Sequence, residues 1–339
     1  MKRKSFRIGF SVVLLLFAVA GSGVWFVSSK AFERVQGHYF DSNGVRIHYT
    51  DEGKGEPLIL IHGFAANADL NWRMPKIIEN LSKDYRVIAF DDRGHGLSDK
   101  PHEVEKYGAE MVEDVVRLMD HLKIEKAHVV GYSMGAFITL KLITMHPDRL
   151  LSAAPCGAGW EKSRGEDRQE WRTELIDSLE KREGFGPLMT LIDPGRGPLA
   201  GIRKWIANRT LKSLNDQAAM AAVLRGLPQL AVTEEQLRAN TVPTLSVVGS
   251  DDPLKVGVDN MTGVMANHET VIIQGGTHIT LLRNKKHCAE FVTALRAFLA
   301  KHKAEVQKSR LEADGTPRSE LLSQSQYAPY RLAASMNAM

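Results

Sequence analysis

Three kinds of apolar pattern succeed one another along the chain. Residues 37–51 alternate apolar and polar on each side of Asn43-Gly44, which predicts a hairpin closed by a two-residue turn. Leu58-Ile59-Leu60-Ile61 and Arg86-Val87-Ile88-Ala89-Phe90 are short continuous apolar runs, the mark of strands buried on both faces. A helix is predicted near 72–82. Another is predicted over 106–122, where Met111, Val115, Leu118 and Leu122 recur at helical spacing. Residues 127–130 read as a strand, 133–145 as a helix and 150–154 as a further strand. Strand and helix resume with 244–248, about 255–266, 270–273 and about 284–302. Strands alternating with helices predict an α/β chain with a mostly parallel central sheet covered on both faces.

Between about 160 and 240 the strand pattern vanishes. Gly184, Gly186, Pro187, Pro194, Gly195, Gly197 and Pro198 punctuate a stretch rich in Glu, Arg, Lys and Trp. It reads as a mainly helical insertion, a cap over residues 159–239 set into a core of residues 31–158 and 240–303. Residues 304–339 are polar and aperiodic, and a disordered tail is expected there. No internal repeat is visible.

Residues 1–30 read as a targeting segment. Lys2, Arg3, Lys4 and Arg7 precede the run Ile8 to Val27, which carries no charge and is long enough to span a bilayer. Ala18-Val19-Ala20 suits cleavage by a signal peptidase. The apolar run continues through Val24-Trp25-Phe26-Val27, which favours a retained anchor. Basic residues at the N-terminus stay cytoplasmic and place the body on the far side, the periplasm in a bacterium. A membrane-anchored or secreted protein is expected.

Composition narrows the classes. Hydrophobic residues at 43% and charged residues at 25% exclude a fibrous or wholly disordered chain. Two cysteines exclude a disulfide-stapled scaffold; Cys156 and Cys288 are expected either as buried free thiols or as a single pair. The net charge of +4 lies in the first seven residues, because the rest balances 40 Lys and Arg against 40 Asp and Glu. A neutral body does not support nucleic-acid binding. No histidine pair has metal-ligand spacing in a supporting context, so no metal site is expected.

The chemistry sits at predicted strand ends. Gly131-Tyr132-Ser133-Met134-Gly135 follows a strand and opens a helix, so Ser133 lies on a sharp turn with its oxygen projecting into a cleft. A serine hydroxyl needs a base, and the base needs an orienting carboxylate. Gly249-Ser250-Asp251-Asp252-Pro253 follows the strand ending at 248, and Gly275-Gly276-Thr277-His278 the one ending at 273. His62-Gly63-Phe64 follows an earlier strand. Its Phe64 N–H and the Met134 N–H are candidates for an oxyanion hole.

These motifs, with Asp92-Arg93-Gly94-His95-Gly96-Leu97-Ser98, resemble those of α/β-hydrolase-fold serine hydrolases, esterase- or lipase-like and with a helical cap. The resemblance covers roughly residues 37–302. It implies a triad of Ser133, Asp252 and His278. Asp252 is preferred to Asp251 because the family's acid lies three residues after the glycine that ends its strand, here Gly249. Thr277-His278 stands where the family often has Gly-His. A serine at the elbow argues against the dehalogenases and epoxide hydrolases of this fold, which use aspartate there.

The expected activity is hydrolysis of a carboxylic ester through an acyl-enzyme, with no cofactor, on a small or lipid-like substrate. The resemblance also permits lactones, thioesters, amides, carbon–carbon bond hydrolysis and cofactor-free haloperoxidation. Tyr132 and Trp160 are candidate pocket residues. Trp171, Phe185 and Trp205 are expected either to line the pocket or to form the insertion's own core. A competing class is a non-catalytic binding protein using the cap cleft. His62 and His95 are expected to build turns, and Asp91 and Asp92 to brace the loop that follows them. Nothing in the sequence indicates oligomeric state.

Overall fold

The computed structural model describes residues 37–162, 166–193 and 200–303. The targeting segment expected at 1–30 and the tail expected at 304–339 lie outside them. Among the described residues no helix is long and apolar enough to cross a membrane.

The hairpin forms as the alternation predicts, with β1 at His38–Asp41 and β2 at Arg46–Glu52. Asn43 and Gly44 adopt φ of 56° and 77°, the left-handed conformation that a two-residue turn requires. Then follow β3 (Pro57–Ile61), β4 (Arg86–Phe90), β5 (Ala127–Tyr132), β6 (Leu150–Cys156), β7 (Thr244–Gly249) and β8 (His268–Ile273). They make one sheet in the order β1-β2-β4-β3-β5-β6-β7-β8. The hairpin runs antiparallel at one edge, and every pair from β4 to β8 is parallel.

The continuous apolar strands feed two cores. Ile59, Ile61, Ile88, Phe90 and Val129 pack on one face. Leu58, Leu60, Val87, Ala89 and Val130 pack on the other. Successive side chains of a strand point to opposite faces, so a run apolar at every position demands helices on both sides. Those helices are α1 (Ile77–Leu81), α2 (Ala109–His121), α3 (Met134–Met145), α9 (Lys255–Asp259), α10 (Thr280–Arg283) and α11 (Lys285–Lys301). Between β6 and β7 lie α4 (Glu166–Glu180), α5 (Gly186–Ile192), α6 (Ala200–Leu214), α7 (Gln217–Gly226) and α8 (Glu234–Arg238).

Two helices differ from the expectation. The one predicted at 72–82 is split into a π-helical turn, Asp69–Arg73, and the five-residue α1. Pro75 between them has no N–H to donate, and Lys76 sits at φ 63°. The one predicted at 255–266 stops at Asp259 and continues as turns. Cys156 and Cys288 are both free and buried.

The loop after β4 is tied down by charge. Arg93 is fully buried and grips Asp114 of α2 through two nitrogens at 2.6 and 2.7 Å. Ser42 of the hairpin donates to the same carboxylate at 2.5 Å. A buried guanidinium is tolerable because this pairing is bidentate and hydrogen-bonded.

Candidate active site

Ser133 occupies the corner between β5 and α3 at φ 57° and ψ −111°, a conformation that strains any residue with a side chain. Close approach explains the flanking glycines. A Cβ on Gly131 would lie 2.0 Å from the Gly135 carbonyl oxygen, and one on Gly135 would lie 2.3 Å from that of Ile61. The start of α3 is therefore pressed against the end of β3. The Ser133 N–H donates to the Cys156 carbonyl at 2.9 Å, which secures the corner to β6.

His278 and Asp252 meet this serine although they arrive from loops after β8 and β7. His278 Nε2 lies 2.9 Å from Ser133 Oγ, and His278 Nδ1 lies 2.9 Å from Asp252 Oδ2. The second oxygen of Asp252 accepts the Leu254 N–H at 2.8 Å. Both Asp252 and His278 are buried. Asp251 is exposed, and its carboxylate accepts a hydrogen bond from Ser250 Oγ at 2.8 Å. The choice between the two aspartates thus falls on Asp252 in geometry too.

Tyr132 packs its ring against the His278 imidazole, with centroids 5.3 Å apart, and its hydroxyl donates to the His278 carbonyl at 2.5 Å. Burial, reinforced by nearby Asp252, pushes the phenol well above its ordinary range, so it stays a neutral donor. It holds the histidine loop as well as lining the cavity.

The loop after β3 abuts the serine: a Cβ on Gly63 would lie 3.1 Å from Ser133 Cβ. Asn71 accepts the Gly63 N–H at 2.7 Å, so that donor is already engaged. The Phe64 and Met134 N–H groups take no partner among the described residues. His62 Nε2 accepts the Asp92 N–H at 3.0 Å, so its proton sits on Nδ1 and is donated to the Gly63 carbonyl at 2.8 Å. Burial lowers the His62 pKa and keeps that ring neutral. Asn71 was not legible in the sequence, because its role depends on the π-helical turn that carries it.

The two neighbouring aspartates divide. Burial pushes Asp91 up, but the His48 side chain and the N–H groups of Leu97 and Ala68 outweigh it and hold the carboxylate ionised. Burial, with repulsion from Asp114 and Asp91, drives Asp92 well above the carboxylate range. Asp91 thus braces the loop, as expected.

Two cavities meet at Ser133 and Phe64. The larger, about 440 Å³, is lined by Leu70, Met74, Leu188, Leu211 and Arg283 among others. The smaller, about 180 Å³, is walled by Phe137, Trp171, Leu191, Leu224 and Leu254. Trp160, a candidate for this pocket, is placed elsewhere. Its indole donates to the Val232 carbonyl at 3.0 Å and lines an adjoining cavity of about 60 Å³. Of the two roles open to Trp171, it takes the one on the cavity wall. Phe185 is buried in the core, and Trp205 faces solvent.

A family profile described as alpha/beta hydrolase fold matches residues 56–187. The chain is 29% identical over 279 residues to 2-hydroxymuconate semialdehyde hydrolase of Pseudomonas sp. (strain CF600), covering 76% of this chain and 91% of that protein. It is 26% identical over 272 residues to pimeloyl-(acyl-carrier protein) methyl ester esterase of Aliivibrio fischeri (strain MJ11), covering 76% and 98%. The solved enol-lactonase from Burkholderia xenovorans LB400 superposes with a TM-score of 0.65 at 22% identity, over 78% of this chain and all of that one.

Proposed function

We propose that this chain, a hydrolase with the α/β-hydrolase fold, cleaves a carboxylic ester through an acyl-enzyme. The observation that carries the reading is the hydrogen-bonded series Asp252–His278–Ser133 opening onto two apolar cavities.

In this reading Ser133 Oγ attacks the ester carbonyl while His278 Nε2 takes its proton. Asp252 holds the Nδ1–H and stabilises the imidazolium. The Phe64 and Met134 N–H groups, helped by the N-terminus of α3, hold the oxyanion. Collapse breaks the bond to the alkoxy group, which leaves as an alcohol with the proton from His278. Water then gives its proton to His278 and attacks the acyl carbon, and Ser133 leaves with that proton. The smaller cavity takes the acyl chain, because its walls are mainly apolar, with Glu161 and Arg172 as their charged members. No step calls for a cofactor.

The relative named as a methyl ester esterase favours an ester. The relative named as a semialdehyde hydrolase favours a second reading, carbon–carbon bond hydrolysis of an anionic substrate. Arg283 on the larger cavity wall is the cation such a substrate would need. We also propose that residues 8–27 deliver the catalytic body to the non-cytoplasmic side of a membrane. Fractionation with an N-terminal epitope tag tests that.

Labelling of the purified protein with a fluorophosphonate, followed by peptide mapping, tests the enzyme reading. A covalent adduct at Ser133 that disappears in Ser133→Ala is expected. A folded protein that takes no label overturns the reading. An ester panel beside a dienolic diketone panel then separates the two substrate classes.

A further inference from the structure

Helix α6 carries apolar residues on two opposite faces. Ala207, Leu211 and Leu214 line the larger cavity. Half a turn away, Ile202, Trp205 and Ile206 are 57%, 65% and 51% exposed. Their i, i+3, i+4 spacing makes them one continuous stripe. Single exposed apolar residues need no explanation, but a contiguous stripe containing tryptophan marks an interaction surface.

Charge identifies what the stripe meets. Residues 200–214 contain Arg203, Lys204, Arg209 and Lys212 and no Asp or Glu. Arg209 is exposed one turn beyond Trp205 and Ile206. A basic helix with Ile and Trp on an open face suits the boundary of an anionic bilayer, where the indole sits between apolar and polar layers. The same chain begins with four cations followed by the uncharged run 8–27, of bilayer-spanning length. The cavity beneath α6 has an apolar rim as well: Met74 and Ile279 both line it and are 43% and 36% exposed.

We propose that the outer face of α6 docks on an anionic lipid surface and that the ester substrate is a lipid drawn from that surface through the Met74–Ile279 rim. The second half rests on the ester-hydrolase reading; the docking half does not.

The full-length protein reconstituted into phosphatidylglycerol-containing vesicles tests both halves. Lipids brominated on the acyl chain quench a tryptophan that enters the bilayer. The difference between the native protein and Trp205→Phe isolates Trp205 from the other four tryptophans. Trp205 is expected to be quenched in anionic vesicles and much less in purely phosphatidylcholine vesicles. Ile206→Glu is expected to lower turnover of a vesicle-embedded ester about tenfold, through lost apolar burial, while turnover of a soluble short-chain ester is unchanged.

Equal quenching in both lipids overturns the charge argument. Absence of lipid quenching overturns docking, and if acrylamide also fails to reach Trp205, a protein segment covers the stripe instead. Quenching as expected, with Ile206→Glu indifferent towards the embedded ester, overturns the substrate half. Quenching without turnover of any ester leaves docking supported and overturns the ester reading.

Discussion

Replacing Asp252 by Asn tests the orientation of the base with almost no change in volume. The Leu254 N–H needs an acceptor at its present 2.8 Å, so the amide oxygen takes that place. The amide nitrogen then faces His278 Nδ1 at 2.9 Å and donates to it. That bond requires Nδ1 to be unprotonated, which moves the imidazole proton to Nε2, opposite Ser133 Oγ. The ring then points a donor at the nucleophile and has no lone pair with which to take its proton. A loss of about 10,000-fold in kcat is expected, or about 5 kcal/mol of transition-state stabilisation. The assay is turnover of a chromogenic short-chain ester, paired with the rate of fluorophosphonate labelling. Circular dichroism and a thermal melt check that the fold survives. Asp251→Asn is the control, because the exposed Asp251 carboxylate accepts from Ser250 Oγ while His278 bonds to Asp252, and its turnover should stay near that of the native protein. A folded Asp252→Asn variant within tenfold of native turnover refutes the tautomer argument. So does a large loss on changing Asp251.

Three further outcomes are expected. Gly135→Ala places a methyl group 2.3 Å from the rigid Ile61 carbonyl, so urea unfolding should show a loss of about 2–3 kcal/mol, and unchanged stability would mean that the elbow can relax. Leu191→Trp fills part of the smaller cavity, so kcat/KM for an octanoyl ester should fall about tenfold or more relative to an acetyl ester; an unchanged ratio places the acyl chain elsewhere. Burial pulls His95 from 6.5 down to about 3. The unfolded chain therefore binds a proton there that the folded one refuses, and stability should fall as pH drops from about 6.5 towards 3. His95→Asn should flatten this slope in urea midpoints measured between pH 7.5 and 5, and an equal slope in both proteins removes His95 as the cause.

The sequence by itself determined the strands, their alternation with helices and the corner at Ser133. These are short-range properties. A run such as Leu58–Ile61 is apolar at every position and satisfies only a strand covered on both faces. Gly131 and Gly135 bracket a turn that only small residues let close. Ser133, His278 and the Asp251-Asp252 pair were legible as candidates because each follows such a strand, and parallel strands end on one side of a sheet. Contact between them was a matter of register, and the packing of β7 and β8 beside β5 and β6 decided it.

Tertiary structure alone decided the rest. Trp160 donates its indole N–H to the Val232 carbonyl and Trp171 its own to the Pro187 carbonyl, yet Trp171 walls the cavity at Ser133 and Trp160 an adjoining one. Asn71 holds the Gly63 N–H from the π-helical turn Asp69–Arg73, eight residues along the chain. Tyr132 reached the His278 carbonyl across 146 residues of chain. Helical spacing showed that the insertion has apolar positions but not which would find a partner: α6 turned Leu211 to the cavity and left Trp205 in solvent. Local pattern constrains the backbone, through sterics and periodicity. Which side chain meets which depends on how separately stable pieces pack, and no short window of sequence contains both partners.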